Sequence, residues 1–372
     1  MDKKIIVSVI NDLVTDQRVH KTCQTLTNMG FKVLLVGRKL PDSPPMDKRD
    51  YAHHRMRLLF TKGAFFYIEY NIRLFFFLLF HNFSLLTSND LDTLLPNYLI
   101  SKLKNKPLVY DSHEYFTGVP ELVNRPMVQK IWKHIEKWIF PKLKDVFTVN
   151  ESIASLFENE YGIRPHVVRN IPFKKKVQAN KSRKELGLYE DKFILILQGS
   201  GINVDRGSEE MVEAMEYINN ATLLIVGGGD VIGTLKKMAE KPSIKGKVIF
   251  KPRQAYNNLM QYTANADLGL TLDKDTNLNY RYSLPNKIFD YIQAGIPVLA
   301  SNLPEIRKVI EKYEIGDFIP SHQPKQIADK INNIIKNSEQ LNNWKRNLIF
   351  AANDLTWEKE SKIIKKVYSK YV

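Results

Sequence analysis

The chain has 372 residues, 44% hydrophobic and 26% charged, with 17 Gly and 17 Pro, an ordinary globular composition that excludes collagen-like, disordered and multi-span membrane classes. Its length predicts two domains, each able to bury a core, and its single cysteine, Cys23, excludes an intramolecular disulfide or a Cys-based zinc cluster. The formal net charge is +15, with a pI near 9.5, and the excess is shared: residues 1–172 hold 24 Lys+Arg against 17 Asp+Glu, residues 173–372 hold 31 against 23.

In chain order, KKIIVSVI (3–10) is a short apolar run that breaks at Asn11-Asp12. It is too short for a signal peptide, so a reducing cytoplasm is the expected compartment. QRVHKTCQTLTNMG follows as an amphipathic helix ending at Gly30, and FKVLLVG (31–37) as a second buried strand. This βαβ opening implies a parallel sheet covered on both faces. FSLLTSND (83–90), PLVYDSHE (107–114) and VFTVNES (146–152) repeat the pattern of strand and polar loop. The basic stretch Lys174–Lys184 reads as a linker. KFILILQGSG (192–201), ATLLIVGGGD (221–230), KVIFKPR (247–253), ADLGLTLD (266–273), IPVLAS (296–301) and IGDFIP (315–320) then restart the same alternation. The expected fold is α/β: two Rossmann-like domains with parallel sheets facing across a cleft, ligands binding beyond the strand carboxyl ends.

Residues 65–86, FFYIEYNIRLFFFLLFHNFSLL, are the most apolar part of the chain but carry Glu69, Arg73 and His81. A spanning helix needs about 20 predominantly apolar residues. Two readings stay open: a buried helix, or a helix whose aromatic face, beside Arg55, Arg57, Lys62 and Arg73, docks on an anionic bilayer. No zinc-finger spacing, RRM-like aromatic signature or basic heptad region is present, which argues against nucleic acid. Phosphate-bearing donors and membrane lipids are the expected anionic partners.

Three motifs bear on chemistry. In IVGGGD, Gly227 and Gly229 fit a dinucleotide fingerprint, but Ile232 stands at its sixth position, so NAD is not expected. The pairs Asp90/Asp92 and Asp273/Asp275 are spaced like metal-binding carboxylates; capping of backbone N–H groups is the favoured reading for Asp90 and Asp92, and no metal is expected. YRYSLPNKIFDYIQAGIPVLAS (280–301) is a turn, a helix closed by Gly295 and a buried strand. Asp290 in that helix suits the two hydroxyls of a ribose, and Lys287 at its start suits a diphosphate.

The order of NDLVTDQRVHKTCQTLTNMGFKVLLVGR, VYDSHEYF, FTVNESIA, VVRNIP, QGSGINVDRG and LPNKIFDYIQAGIPVLAS resembles the retaining family 4 glycosyltransferases of the GT-B fold, over nearly the whole chain. The resemblance implies transfer of a sugar from a nucleotide sugar to a hydroxyl on a saccharide or lipid-linked acceptor, in surface polysaccharide or glycolipid assembly. It implies an acceptor domain over residues 1–172, onto which a helix of about 356–372 packs back, and a donor domain over 173–355. The donor would meet Gly199, Ser200, Gly201, Arg206, Arg253, Ser283, Leu284, Lys287 and Asp290, and the acceptor Asn11, Asp16, Arg18, His113 and Glu114. His113, Arg206 and Lys287 would carry catalysis without cofactor or metal, in the cytoplasm or at the inner face of the membrane. The chain departs from the family's paired-acid motif: Tyr282 replaces the first acid and Asp290 shortens the second, while Ser200 stands where many members have Arg. A nucleotide-sugar epimerase, or a non-catalytic scaffold in a glycan-assembly complex, are the alternatives.

Overall fold

The apolar runs form two parallel sheets in a computed structural model that describes residues 3–14, 16–41, 43–174, 177 and 179–372. The chain divides into two units, one of Met1–Asn170 with Trp357–Val372, the other of Ile171–Thr356.

In the first unit the chain runs through β1 (Lys4–Asp12), α1 (Gln17–Asn28), β2 (Lys32–Lys39), β3 (Ala52–Arg57), α2 (Gly63–Phe80), β4 (Leu85–Asn89) and α3 (Leu91–Leu103). It continues through β5 (Leu108–Ser112), α4 (Pro120–Val123), α5 (Pro126–Ile139), β6 (Asp145–Thr148), α6 (Glu151–Tyr161) and β7 (His166–Val167). The strand order is β3-β2-β1-β4-β5-β6-β7, all parallel. The order reverses between β1 and β4, where doubly wound sheets bind ligands. Ile5, Val7, Leu35, Val109 and Phe147 from the strands form a core with Val19 and Leu26 of α1 and with the chain's last segment.

The second unit runs β8 (Phe193–Gly199), α7 (Ser208–Ala214), β9 (Ala221–Gly227), α8 (Ile232–Ala239), β10 (Val248–Lys251), α9 (Tyr256–Ala264) and β11 (Leu268–Thr271). Then come α10 (Leu278–Arg281), α11 (Asn286–Ala294), β12 (Val298–Ala300), α12 (Pro304–Tyr313), β13 (Gly316–Phe318), α13 (Pro324–Lys336) and α14 (Ser338–Asp354). Its six strands are ordered β10-β9-β8-β11-β12-β13, again parallel. The switch point falls between β8 and β11.

The closing helix α15 (Trp357–Tyr368) belongs to the first unit. Trp357 Nε1 donates to Thr25 Oγ1 at 3.0 Å, and the Tyr368 hydroxyl meets Thr87 Oγ1 at 2.8 Å. Both rings are fully buried, so the helix is fixed by apolar area and by hydrogen bonds that satisfy its polar tips.

Two expectations need correction. The first unit ends at Asn170, and the basic stretch assigned to a linker lies within the second unit: the Asn180 and Lys181 N–H groups donate to Gln261 Oε1. Lys175, Lys176 and Gln178 lie outside the described residues. Basic composition mimicked a linker, but Ile171, Leu186 and Leu188 anchor the segment in the second core. The apolar segment 65–86 is also neither wholly buried nor free. Phe66, Tyr70, Leu74 and Leu78, at i, i+4 spacing, face inward, and the Tyr70 hydroxyl donates to the Val9 carbonyl at 2.7 Å. Phe65, Ile68, Ile72, Phe76 and Phe80 stay exposed.

Candidate active site

In the first unit the strand ends at the switch point gather Asp90, Asp111 and His113. One Asp90 oxygen accepts the His113 backbone N–H at 2.8 Å, and the other faces Nδ1 at 3.2 Å. His113 Nε2 faces Asn89 Oδ1 at 3.1 Å and Asp111 at 3.6 Å. Asn89 Nδ2 donates to the Ser8 carbonyl, which turns the amide oxygen toward the ring. Both ring nitrogens therefore face acceptors, an arrangement that only an imidazolium satisfies. Burial by itself lowers the His113 pKa, but the Asp90 and Asp111 carboxylates outweigh it and hold it at about 9.

Capping by Asp90 and Asp92 is therefore corrected. Asp90 sits at the N-cap of α3 without a side-chain bond to the helix, because its carboxylate is spent on His113. Asp92 is buried, one of its oxygens without a hydrogen-bond partner, and burial beside Asp90 raises its pKa well above the carboxylate range.

Arg18 is corrected as well. Nε and Nη2 donate to the two Asp111 oxygens at 3.1 and 2.6 Å, and Nη1 to the Val168 carbonyl at 2.6 Å. At 4% exposure it ties α1 to β5 inside the core, not on an acceptor surface. Asn11 Nδ2 donates to Asp16, and Asp16 caps α1 through the Val19 N–H. Glu114 follows His113, its carbonyl accepting the Ser112 hydroxyl.

The second unit brings most of the expected donor residues to the end of β8. Gly199 closes that strand, and its carbonyl accepts the Gly228 N–H at 3.1 Å. A Cβ on Gly227 would lie 1.8 Å from that carbonyl, so only glycine lets β9 approach here. Arg253 Nη2 reaches back to the Ser200 carbonyl at 2.7 Å. Arg206 Nη1 donates to Asp273 Oδ1 at 2.7 Å, and its guanidinium lies over the Tyr280 ring, 4.3 Å from the centroid. Lys287 occupies the first turn of α11, where unpaired N–H groups favour anions. Burial lowers its pKa, opposed by Asp273.

Asp290, on the same helix, accepts from the Tyr256 hydroxyl at 2.9 Å and from Gln198 Nε2 at 3.2 Å. Gln198 Oε1 in turn accepts from Thr263 Oγ1 at 2.7 Å. Ser283 closes a turn through the Tyr280 carbonyl, and Leu284 packs against the core, so these two contribute shape and not charge. Sequence reasoning missed Gln198, Tyr256 and the role of Asp273. Gln198 had a signal: it is the one polar side chain in the apolar strand FILILQG. Among the described residues, no group of three or more His, Cys, Asp or Glu is placed to hold a metal ion.

Comparison with known proteins identifies the family to which the two units are similar. Residues 16–172 match Glycosyltransferase Family 4, and residues 178–349 match Glycosyl transferases group 1. The protein is a GT-B-fold glycosyltransferase. It is 21% identical to a chitobiosyldiphosphodolichol beta-mannosyltransferase of Candida glabrata, over 84% of this chain and 79% of that one. Among solved structures it resembles a sucrose-phosphate synthase of Thermosynechococcus elongatus (TM-score 0.80, 16% identity, 99% of this chain and 98% of that one). It also resembles Anabaena HepE in complex with UDP and glucose (TM-score 0.76, 14% identity, 99% of this chain and all of that one). These two share its fold.

Proposed function

We propose that this glycosyltransferase moves a sugar from a nucleotide-diphosphate donor to a hydroxyl acceptor, with retention of the anomeric configuration, in surface polysaccharide or glycolipid assembly. The observation that carries the reading is a pair of cations, Arg206 bonded to the buried Asp273 just beyond β11 and Lys287 in the first turn of α11. There they meet a diphosphate and stabilise charge on it as the sugar departs. Asp290 takes the ribose hydroxyls, and Gly199, Ser200 and Gly201 give the backbone access. The UDP and glucose held by HepE support a nucleotide-sugar donor.

The first unit supplies the acceptor side, through Asn11, Asp16, His113 and Glu114. What supports retention is the resemblance of the motif order to the retaining family 4 glycosyltransferases. The acceptor is lipid-linked and the enzyme works at the cytoplasmic face of an anionic membrane. The support for this is the exposed apolar stripe of α2, with Leu59 and Phe60 before it and Met127 and Ile131 exposed on α5, among Lys62, Arg73 and Lys130.

Calorimetry on Arg206→Ala tests the donor site. Binding of a nucleoside diphosphate should weaken roughly ten- to hundredfold, and binding of the nucleoside far less. Equal losses for the two would remove Arg206 from the site. NMR of the first product formed tests the stereochemistry: an anomer opposite to the donor's overturns retention.

A further inference from the structure

We infer that Asp273 is a positioning residue for the transfer, holding Arg206 preset where the donor's diphosphate gathers charge. The inference rests on the donor reading above.

Asp273 lies two residues beyond β11 and is completely buried. A carboxylate placed there without partners is costly, and it persists where cations and hydrogen bonds compensate it. Arg206 Nη1 donates to one oxygen at 2.7 Å and the Thr271 hydroxyl to the other at 3.2 Å. Burial opposes the ionised form, but Lys287 and then Arg206 outweigh it, so the carboxyl stays below its usual range.

The loop that carries Arg206 is tied to the same strand end. The Lys274 N–H donates to the Asp205 carbonyl at 2.9 Å, and Gly207, at φ +70°, packs so closely that a Cβ would lie 2.2 Å from the Leu272 carbonyl. With its stem fixed and its plane against Tyr280, Arg206 is aimed by Asp273, while its Nε is buried without a hydrogen-bond partner. One buried anion thus aims this guanidinium before the substrate arrives.

This assignment has a signature opposite to that of a binding cation. Neutralising Asp273 leaves the Arg206 charge in the site and removes an opposing one, so ground-state attraction for the nucleotide is retained. The guanidinium loses its aim, and the loss falls on the transition state.

The test uses the full chain with Asp273→Asn, measuring steady-state kinetics and calorimetric binding of UDP, or of GDP if wild type does not bind UDP. The expected result is kcat reduced roughly 10- to 100-fold with nucleotide Kd equal to or below wild type. In an Arg206→Ala background the same substitution should lower kcat by no more than about threefold, because its route of action is gone. Weaker nucleotide binding with kcat unchanged overturns the inference, as does an equal loss of kcat with and without Arg206. Should Asp273→Asn fail to fold, Thr271→Val removes one hydrogen bond and keeps the ion pair. A fall of about two- to fivefold in kcat at unchanged Kd then supports the inference, and an unchanged kcat overturns it. Failure of the donor reading looks different: Arg206→Ala alone leaves nucleotide binding intact.

Discussion

Asp90 grips His113 twice, once through the backbone N–H at 2.8 Å and once through imidazole Nδ1 at 3.2 Å. To do so it adopts φ +58°, a conformation that costs a non-glycine residue about 1–3 kcal/mol and persists only where its surroundings hold it. The compensation is the charged ring, set between Asp90 and Asp111.

That geometry makes stability depend on pH with a definite sign. Asp90 and Asp111 raise the His113 pKa in the folded protein from its ordinary 6.5 to about 9. Its contribution is therefore complete below about 6.5 and is lost as pH rises through about 9. The difference corresponds to roughly 3 kcal/mol. Urea unfolding of wild type between pH 6.5 and 9.5 should show this decline, and His113→Gln should show little of it. Parallel pH curves for the two proteins would mean that the ring is neutral.

Arg18 makes a separate prediction about the fold. Removing one partner of a buried ion pair leaves the other uncompensated, at a cost of about 3–5 kcal/mol. Arg18→Ala should lower the urea midpoint sharply, because Asp111 and the Val168 carbonyl both lose their donor. An acceptor-binding role alone would leave stability near wild type and change only KM.

Parts of this structure were legible from residue order and parts were not, and the division is physical. Buried parallel strands are continuous apolar runs, so eleven of the thirteen strands among the described residues stood out. The edge strands β3, AHHRMR, and β7, the pair His166–Val167, did not, because the first is mostly exposed and polar and the second is too short to make a run. His113, Arg206, Lys287 and Asp290 sit in recognisable motifs. Their partners do not: Arg18 meets Asp111 across 93 residues, Gln198 meets Asp290 across 92 and Arg206 meets Asp273 across 67. Whether a carboxylate caps, ligates a metal or aims a cation depends on those long-range meetings, and local spacing does not carry them.

Helix α2 makes a prediction about membranes. Ile72 and Phe76 are 53% and 51% exposed, so charging them should disturb the core little. Each Lys or Arg near an anionic surface contributes about 1 kcal/mol, which makes binding reversible and salt-dependent. Wild type should co-sediment with phosphatidylglycerol-containing vesicles at low salt and release as salt rises. Ile72→Glu with Phe76→Glu should stay in the supernatant with an unchanged melting temperature. Binding indifferent to lipid charge, or to these substitutions, would place the docking surface elsewhere or nowhere.

Asp290 carries the most discriminating prediction for the donor. Its two oxygens already accept from Tyr256 and Gln198, which fixes the carboxylate plane before any nucleotide arrives. A 2′-deoxy donor leaves part of that acceptor unpaired, at about 1–3 kcal/mol, or roughly ten- to hundredfold in kcat/KM. Wild type should show this preference, and Asp290→Ala should lose most of it together with most of its affinity. Tyr256→Phe should keep the preference and lose only a few-fold in affinity, because Gln198 still orients the carboxylate. Asp290→Glu restores a longer acid in a site shaped to the shorter one and should retain measurable turnover. Wild-type kinetics in Asp290→Ala, with the ribose preference intact, would show that the carboxylate serves only Tyr256 and Gln198.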